Sequence, residues 1–217
     1  MTPYYEHAGI AIYHGDSAEI CHHIEWCQSI ITDPVWPNCP KDLLHGSNDP
    51  KGTFDRWWWN VKDPLRAVFI FRHDSDPRML SEVGLKYARA VQLPYVIPGY
   101  IGRWLGGDEI AYCFGDPIPS REGQRLIPGR APNVQPDGRR ANGHPCSRAY
   151  SHMEFLVRWW SEPEETILDP FMGSGTTLAA AKNMGRKAIG IEIEERYCEI
   201  AAKRLSQEVL DFNEACA

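Results

Sequence analysis

No apolar run in the 217 residues approaches the roughly 18 residues that a membrane-spanning helix needs, so the pattern offers no helical span. The first residues, MTPYYEHAGIAIYHGD, lack a basic region followed by an apolar stretch, and a cytoplasmic, unprocessed chain is therefore expected. Cysteine is sparse, with seven residues (Cys21, Cys27, Cys39, Cys113, Cys146, Cys198 and Cys216) and no CxxC spacing. An odd count in that pattern speaks against a disulfide scaffold and fits reduced thiols. CHHIEWC (21–27) does hold ligand-type residues, but helical spacing turns His22 and His23 in different directions. Structural metal sites usually pair two separated ligand clusters, and no metal is expected.

Positive charge is also in deficit. Lys and Arg number 23 against 29 Asp and Glu, a formal net charge of −6. Phosphate binding wants Lys and Arg, so the average argues against a nucleic-acid partner. The deficit is uneven, however. Residues 117–148 hold Arg121, Arg125, Arg130, Arg139, Arg140 and Arg148 against only Glu122 and Asp137, a local +4 that leaves −10 for the rest. A one-sided arginine stretch on an acidic body makes a localised electrostatic footprint.

The remaining sequence alternates strand and helix patterns. GIAIYHGD reads as a strand, SAEICHHIEWC as a helix with Ile20, Ile24 and Cys27 on one face, and SIITDP as a strand stopped by Pro34. Residues 37–52 read as a long loop rich in Pro and Gly, TFDRWWWNVKDP as a helix and RAVFIFRHDSDP as a buried strand. RMLSEVGLKYARAV looks helical, DEIAYCFGDP is a strand, and the stretch from LPYVIPGYIGRWLGG into it resembles a hairpin. Residues 116–145 show no period and read as a surface loop region. SRAYSHMEFLVRWW, GTTLAAAKNMG and EERYCEIAAKRLSQEVL read as helices, with TILDPF and KAIGIEI as strands between them. This order predicts a single α/β domain with helices on both faces of a sheet.

The stretch ILDPFMGSGTTLAAA (167–181) runs strand, glycine turn, helix. Gly173 and Gly175 allow a tight turn close to a ligand, and amides near Thr176 and Thr177 can meet its polar groups. No Lys follows the second glycine, which excludes a phosphate-cradling loop, and Leu178 stands where a dinucleotide fingerprint wants a third glycine. An adenosyl ligand without phosphates remains. Asp169 at the strand end would repel pyrophosphate yet suit a sulfonium or ammonium, and Glu192 closes the next strand where an acid meets ribose hydroxyls.

The segment ILDPFMGSGTTLAAAKNMGRKAIGIEIEERYCEIAAKRL resembles the S-adenosylmethionine-binding segment of the amino-group DNA methyltransferases, adenine-N6 and cytosine-N4. GHPCSRAYSHMEFLV resembles the segment that precedes it in the β-type order, usually His-Pro-Thr-x-Lys-Pro, and departs from it at Cys146, Arg148 and Ala149. DPVW (33–36) resembles the family's catalytic Asp-Pro-Pro-Tyr and its variants, departing at Val35. The resemblance implies a doubly wound, mostly parallel, Rossmann-like sheet with the catalytic half first. Residues 1–115 would form that half, 116–143 a short target-recognition segment and 144–217 the cofactor-binding half.

The resemblance further implies catalysis by Asp33, Pro34 and Trp36. S-adenosylmethionine would be bound through Asp16, His144, Cys146, Ser147, Asp169, Phe171, Met172, Gly173, Ser174, Gly175, Thr176, Thr177 and Glu192. Asp16 also fits a helix N-cap. Double-stranded DNA would meet Arg121, Arg125, Arg130, Arg139 and Arg140, with Lys41 and Lys51 on a loop closing over a flipped base. Asp in first place tilts the target toward adenine N6, with cytosine N4 the alternative and a catalytically silent, cofactor-gated DNA-binding module the rival from another class. A homodimer and a bacterial or phage origin are expected on the same footing. All of this requires Asp33 and Trp36 to share a cavity with the two-glycine turn.

Overall fold

The computed structural model describes residues 1–96, 100–101, 104–105, 108–116, 118, 126–134 and 147–207. Along the chain lie β1 (Tyr5–His7), β2 (Ile10–His14), α1 (Ser17–Cys21), β3 (Ser29–Thr32), α2 (Pro50–Trp58), β4 (Arg66–Arg72), a 3-10 turn (Pro77–Leu80) and β5 (Tyr87–Leu93). There follow β6 (Tyr100–Ile101), β7 (Trp104–Leu105), β8 (Glu109–Gly115), α3 (Tyr150–Trp160), β9 (Thr166–Asp169), α4 (Thr176–Asn183), β10 (Lys187–Glu192) and α5 (Glu195–Leu205).

Eight strands form one sheet in the order β1-β2-β10-β9-β3-β4-β8-β5, and β6 pairs separately with β7. The five strands from β2 to β4 are parallel, while β1, β8 and β5 join antiparallel at the edges. β9 is followed through α4 by β10 on one side, and β3 through α2 by β4 on the other. The strand order therefore reverses between β9 and β3, the place where open α/β sheets leave a crevice beyond the strand ends.

The unbroken apolar run of β4 follows from burial on both sheet faces. Val68 and Ile70 join a core with residues of α3, α4 and α5, whereas Ala67, Phe69 and Phe71 join a second core with residues of α1 and α2. Ile31 and Ile30 divide between the two cores in the same way. Of the three adjacent tryptophans, Trp57 and Trp58 are buried and Trp59 is 64% exposed, as adjacent positions on a helix require.

Four local expectations need correction. The helix read from 17 to 27 ends at Cys21, and Ile24 and Cys27 reach the core from irregular chain. That chain carries the backbone from the helix layer to β3, where Gln28 and Thr166 exchange hydrogen bonds. The loop expected to 52 stops earlier, because Asp49 caps α2 through Gly52 N and Pro50 fits the first helical turn. RMLSEVGLKYARAV is not one helix. Met79, Leu80 and Val83 give its helical spacing and are buried around a single 3-10 turn, after which Val91 and Leu93 alternate inward along β5. The hairpin partner of β8 is β5, with β6 and β7 making a small ladder of their own.

No helix among the described residues is long and apolar enough to cross a membrane. Cys21, Cys27, Cys113 and Cys198 are buried free thiols, Cys39 is buried, and Cys146 and Cys216 lie outside the described residues.

Candidate active site

Two carboxylates stand at the reversal point. Asp169 is the last residue of β9 and is 3% exposed. Its Oδ1 accepts from Thr32 Oγ1 at 2.8 Å and from the Phe171 amide at 3.2 Å. Burial pushes its carboxyl up to about 6, against the pull of hydrogen bonds from Thr177, Thr32 and the Phe171 amide. Asp33 follows Thr32 directly, and burial raises it too to about 6, opposed by Arg148.

The glycine turn is built by close packing. Gly173 and Gly175 have φ of 51° and 75°, a left-handed conformation that a side chain resists. At Gly175 a Cβ would also lie 2.9 Å from Ala201 Cβ of α5. Met172 seats the turn on β10, donating its amide to Ile191 O at 3.1 Å, and Gly190 leaves room for its side chain: a Cβ there would meet Met172 Sδ at 2.5 Å. Glu192 holds the far side. Its Oε2 accepts from Gly173 N at 3.1 Å and its Oε1 from Glu194 N at 2.8 Å, and burial raises its carboxyl.

These pieces meet in one hollow region. A cleft of about 690 Å³ is lined by Asp33, Val35 and Trp36 on one side and by Phe171, Glu192, Arg196 and Tyr197 on another, with Leu43, Leu44 and His45 among the loop residues over it. That volume is in the usual range for a small-molecule site. A narrower recess joins Asp33 and Arg148 to Ser147, Asp169, Met172, Gly173, Ser174, Thr176 and Thr177. Asp33 and Phe171 line both.

The other anticipated residues are placed as follows. Pro34 is buried. Trp36 is 4% exposed, with the Arg72 guanidinium 5.9 Å from its ring centroid. Asp16 caps α1 by accepting from Ala18 N at 2.8 Å, and it lines a small pocket with Phe171 and Glu192. Ser147 meets Ser174 at 3.1 Å, Oγ to Oγ. Thr176 accepts from Arg204 at 3.1 Å. Lys41 is exposed, and Lys51 sits on α2 in ion pairs with Asp55 and Glu82, away from the main cleft. Arg130 is exposed beside β5, with its guanidinium on Asn133. Arg121, Arg125, Arg139, Arg140, His144 and Cys146 lie outside the described residues.

Three residues that the sequence did not single out for the site belong to it. Thr32 ties the strand ends together. Arg148 contacts Asp33, and Glu109 of β8 holds Arg148 from the other side. Glu109 opens β8 directly after Asp108, and no local pattern in the sequence set it apart from that neighbour. Among the described residues no group of three or more His, Cys, Asp or Glu is arranged to hold a metal.

An acidic, nucleoside-sized cleft at the reversal point of a doubly wound sheet defines a Rossmann-like protein. Residues 25–203 match the DNA methylase family (N6_N4_Mtase), and the chain belongs to it. The chain is 35% identical over 165 residues to the type II methyltransferase M.BglII of Bacillus subtilis, covering 76% of this chain and 39% of that protein. It is 38% identical to the type II methyltransferase M.ScaI of Streptomyces caespitosus, over 95% of this chain and 84% of that one. The chain thus spans well under two thirds of M.BglII and most of M.ScaI. Its fold resembles the crystal structure of the M1.HpyAVI–SAM complex, with a TM-score of 0.70, 25% identity and coverage of 91% of this chain and 100% of that one.

Proposed function

We propose that this chain is an S-adenosylmethionine-dependent DNA amino-methyltransferase acting on adenine N6 of a base turned out of the duplex. The observation that carries this reading is the shared hollow: Asp33 and the glycine turn line one recess, with Thr32 and Asp169 bonded behind them.

The residues present suit the cofactor. The turn bends through two left-handed glycines, Glu192 stands beside it for ribose hydroxyls, and buried carboxylates favour a cation over a phosphate. S-adenosylmethionine supplies, when bound, a methyl group on a positively charged sulfur.

The chain's own residues then hold the target. An exocyclic amine is a poor nucleophile because its lone pair is delocalised into the ring. Asp33 accepts an N–H bond from it, as the Pro34 carbonyl can also do, which favours a tetrahedral nitrogen and stabilises positive charge as the methyl arrives. Trp36 stacks on the extruded base, a contact worth on the order of 1–3 kcal/mol. Much of the rate comes from holding the amine in position within the hollow.

The arginines between 116 and 143, with Arg130, Lys41 and Lys51, belong in this reading to the DNA contact surface. So short a recognition element calls for a second subunit, and a concentration-independent monomer mass on DNA would exclude it. The reading is tested by expressing the gene in a host free of DNA methylation and sequencing the genome for modified bases. N6-methyladenine at one short sequence is expected. N4-methylcytosine would move the target base, and an unmodified genome despite cofactor binding would favour the silent module.

A further inference from the structure

The chemistry assigned to Asp33 leaves out its nearest charged neighbour. Arg148 Nη2 lies 2.5 Å from Asp33 Oδ1, while Nη1 donates to Glu109 Oε1. Glu109 Oε2 accepts in turn from the Tyr95 hydroxyl at 3.0 Å. The side chains of Arg148, Glu109 and Asp33 are 11%, 4% and 17% exposed, so this is an interior bridge and not a surface pair. A planar guanidinium can join two carboxylates from different strands because its nitrogens diverge in a fixed fork; an ammonium offers one nitrogen. The segment that delivers it is itself fastened, since the preceding residue Ser147 meets Ser174 of the glycine turn at 3.1 Å. Among the described residues no other side chain hydrogen-bonds to Asp33.

We infer that Arg148 is a positioning residue for Asp33: anchored by Glu109 and Tyr95, and carried on a segment tied to the glycine turn, it grips one carboxylate oxygen and leaves the other for the target amine. The purpose assigned to the free oxygen rests on the methyl-transfer reading above; the grip itself does not.

The groups facing Asp33 are Arg148, which favours its anion, and Glu109 and Asp169, which oppose it. Two neutral substitutions therefore pull in opposite directions. Arg148→Met removes the attraction, and Glu109→Gln removes a repulsion while keeping an oxygen for Arg148 to bond. The test follows the Asp33 carboxyl carbon by ¹³C NMR in the whole protein across pH, with the signal assigned by its loss in Asp33→Asn. In Arg148→Met the midpoint is expected to rise by roughly one unit or more. In Glu109→Gln it is expected to fall, and Arg148→Lys should lie between wild type and Arg148→Met. A merely structural role would lower stability without moving the midpoints in opposite directions.

Midpoints that coincide with wild type in the variants overturn the inference. If Arg148→Met does not fold, the Glu109→Gln and Arg148→Lys arms decide it alone. The acid limb of the DNA methylation rate should follow the same midpoints. Wild-type protein that moves no methyl group to DNA, with midpoints shifting as described, would sink the proposed function and leave the grip standing. Normal transfer with unmoved midpoints would sink the grip alone.

Discussion

The hydroxyl of Thr32 donates to Oδ1 of Asp169 across 2.8 Å, joining the last residue of β3 to the last residue of β9 where the strand order reverses. One side of this bond leads directly to Asp33 and the other to the glycine turn. The two halves of the proposed reaction are thus held in register by a buried contact between residues 137 positions apart.

Thr32→Val tests that bond with little change of shape. It leaves a buried carboxylate one donor short, which costs about 1–3 kcal/mol. Urea unfolding should show this loss, and Thr32→Ser should retain most of the stability. Equal stability of the valine and serine variants would show that the bond contributes nothing.

The pH dependence of stability has a definite sign. Asp169 is raised in the folded protein to about 6 from an ordinary 3.8, chiefly by burial. A carboxyl raised on folding adds stability that is fully present below its unfolded value and is lost as pH rises through its folded value. Between pH 4 and pH 6 this group therefore contributes less with each step upward. Asp169→Asn should gain in thermal stability relative to wild type near pH 7.5, with the difference shrinking toward pH 4. A difference that does not vary with pH would contradict the burial of an ionised Asp169.

Gly175→Ala strains the turn twice, through its φ of 75° and through a Cβ 2.9 Å from Ala201. The left-handed conformation alone costs roughly 1–2 kcal/mol for a side-chain residue. Loss of at least that much in denaturant unfolding is expected, together with weaker S-adenosylmethionine binding by calorimetric titration. Unchanged affinity would separate the turn from the cofactor.

Trp36 is both core and cleft wall, so its test needs a readout that lost packing alone does not move. Trp36→Leu should raise the KM for DNA by the loss of stacking, about 1–3 kcal/mol or roughly 5-fold to 150-fold, with S-adenosylmethionine affinity preserved. An unchanged KM would mean that the target base does not stack there.

The parts of this architecture that were legible in the sequence are those set by local pattern. The apolar run Ala67–Phe71 announced a strand buried on both faces, and the order strand, two glycines, helix in 167–181 announced the turn. Pattern misled where two periods overlapped: Met79, Leu80 and Val83 suggested a helix that Val91 and Leu93 do not continue. Contacts between distant residues leave no local trace. Arg148 meets Asp33 across 115 positions and Glu109 across 39, and no spacing rule connects them. Thr32 looked like an ordinary strand end for the same reason.

The central claim is tested most directly by incubating the purified chain with methyl-labelled S-adenosylmethionine and duplex DNA, then digesting the DNA to nucleosides. Label is expected in N6-methyl-2′-deoxyadenosine, falling roughly 100-fold to 1,000-fold in Asp33→Asn while cofactor binding persists. A chain that binds S-adenosylmethionine yet leaves the DNA unlabelled, or an Asp33→Asn variant as active as wild type, would contradict it.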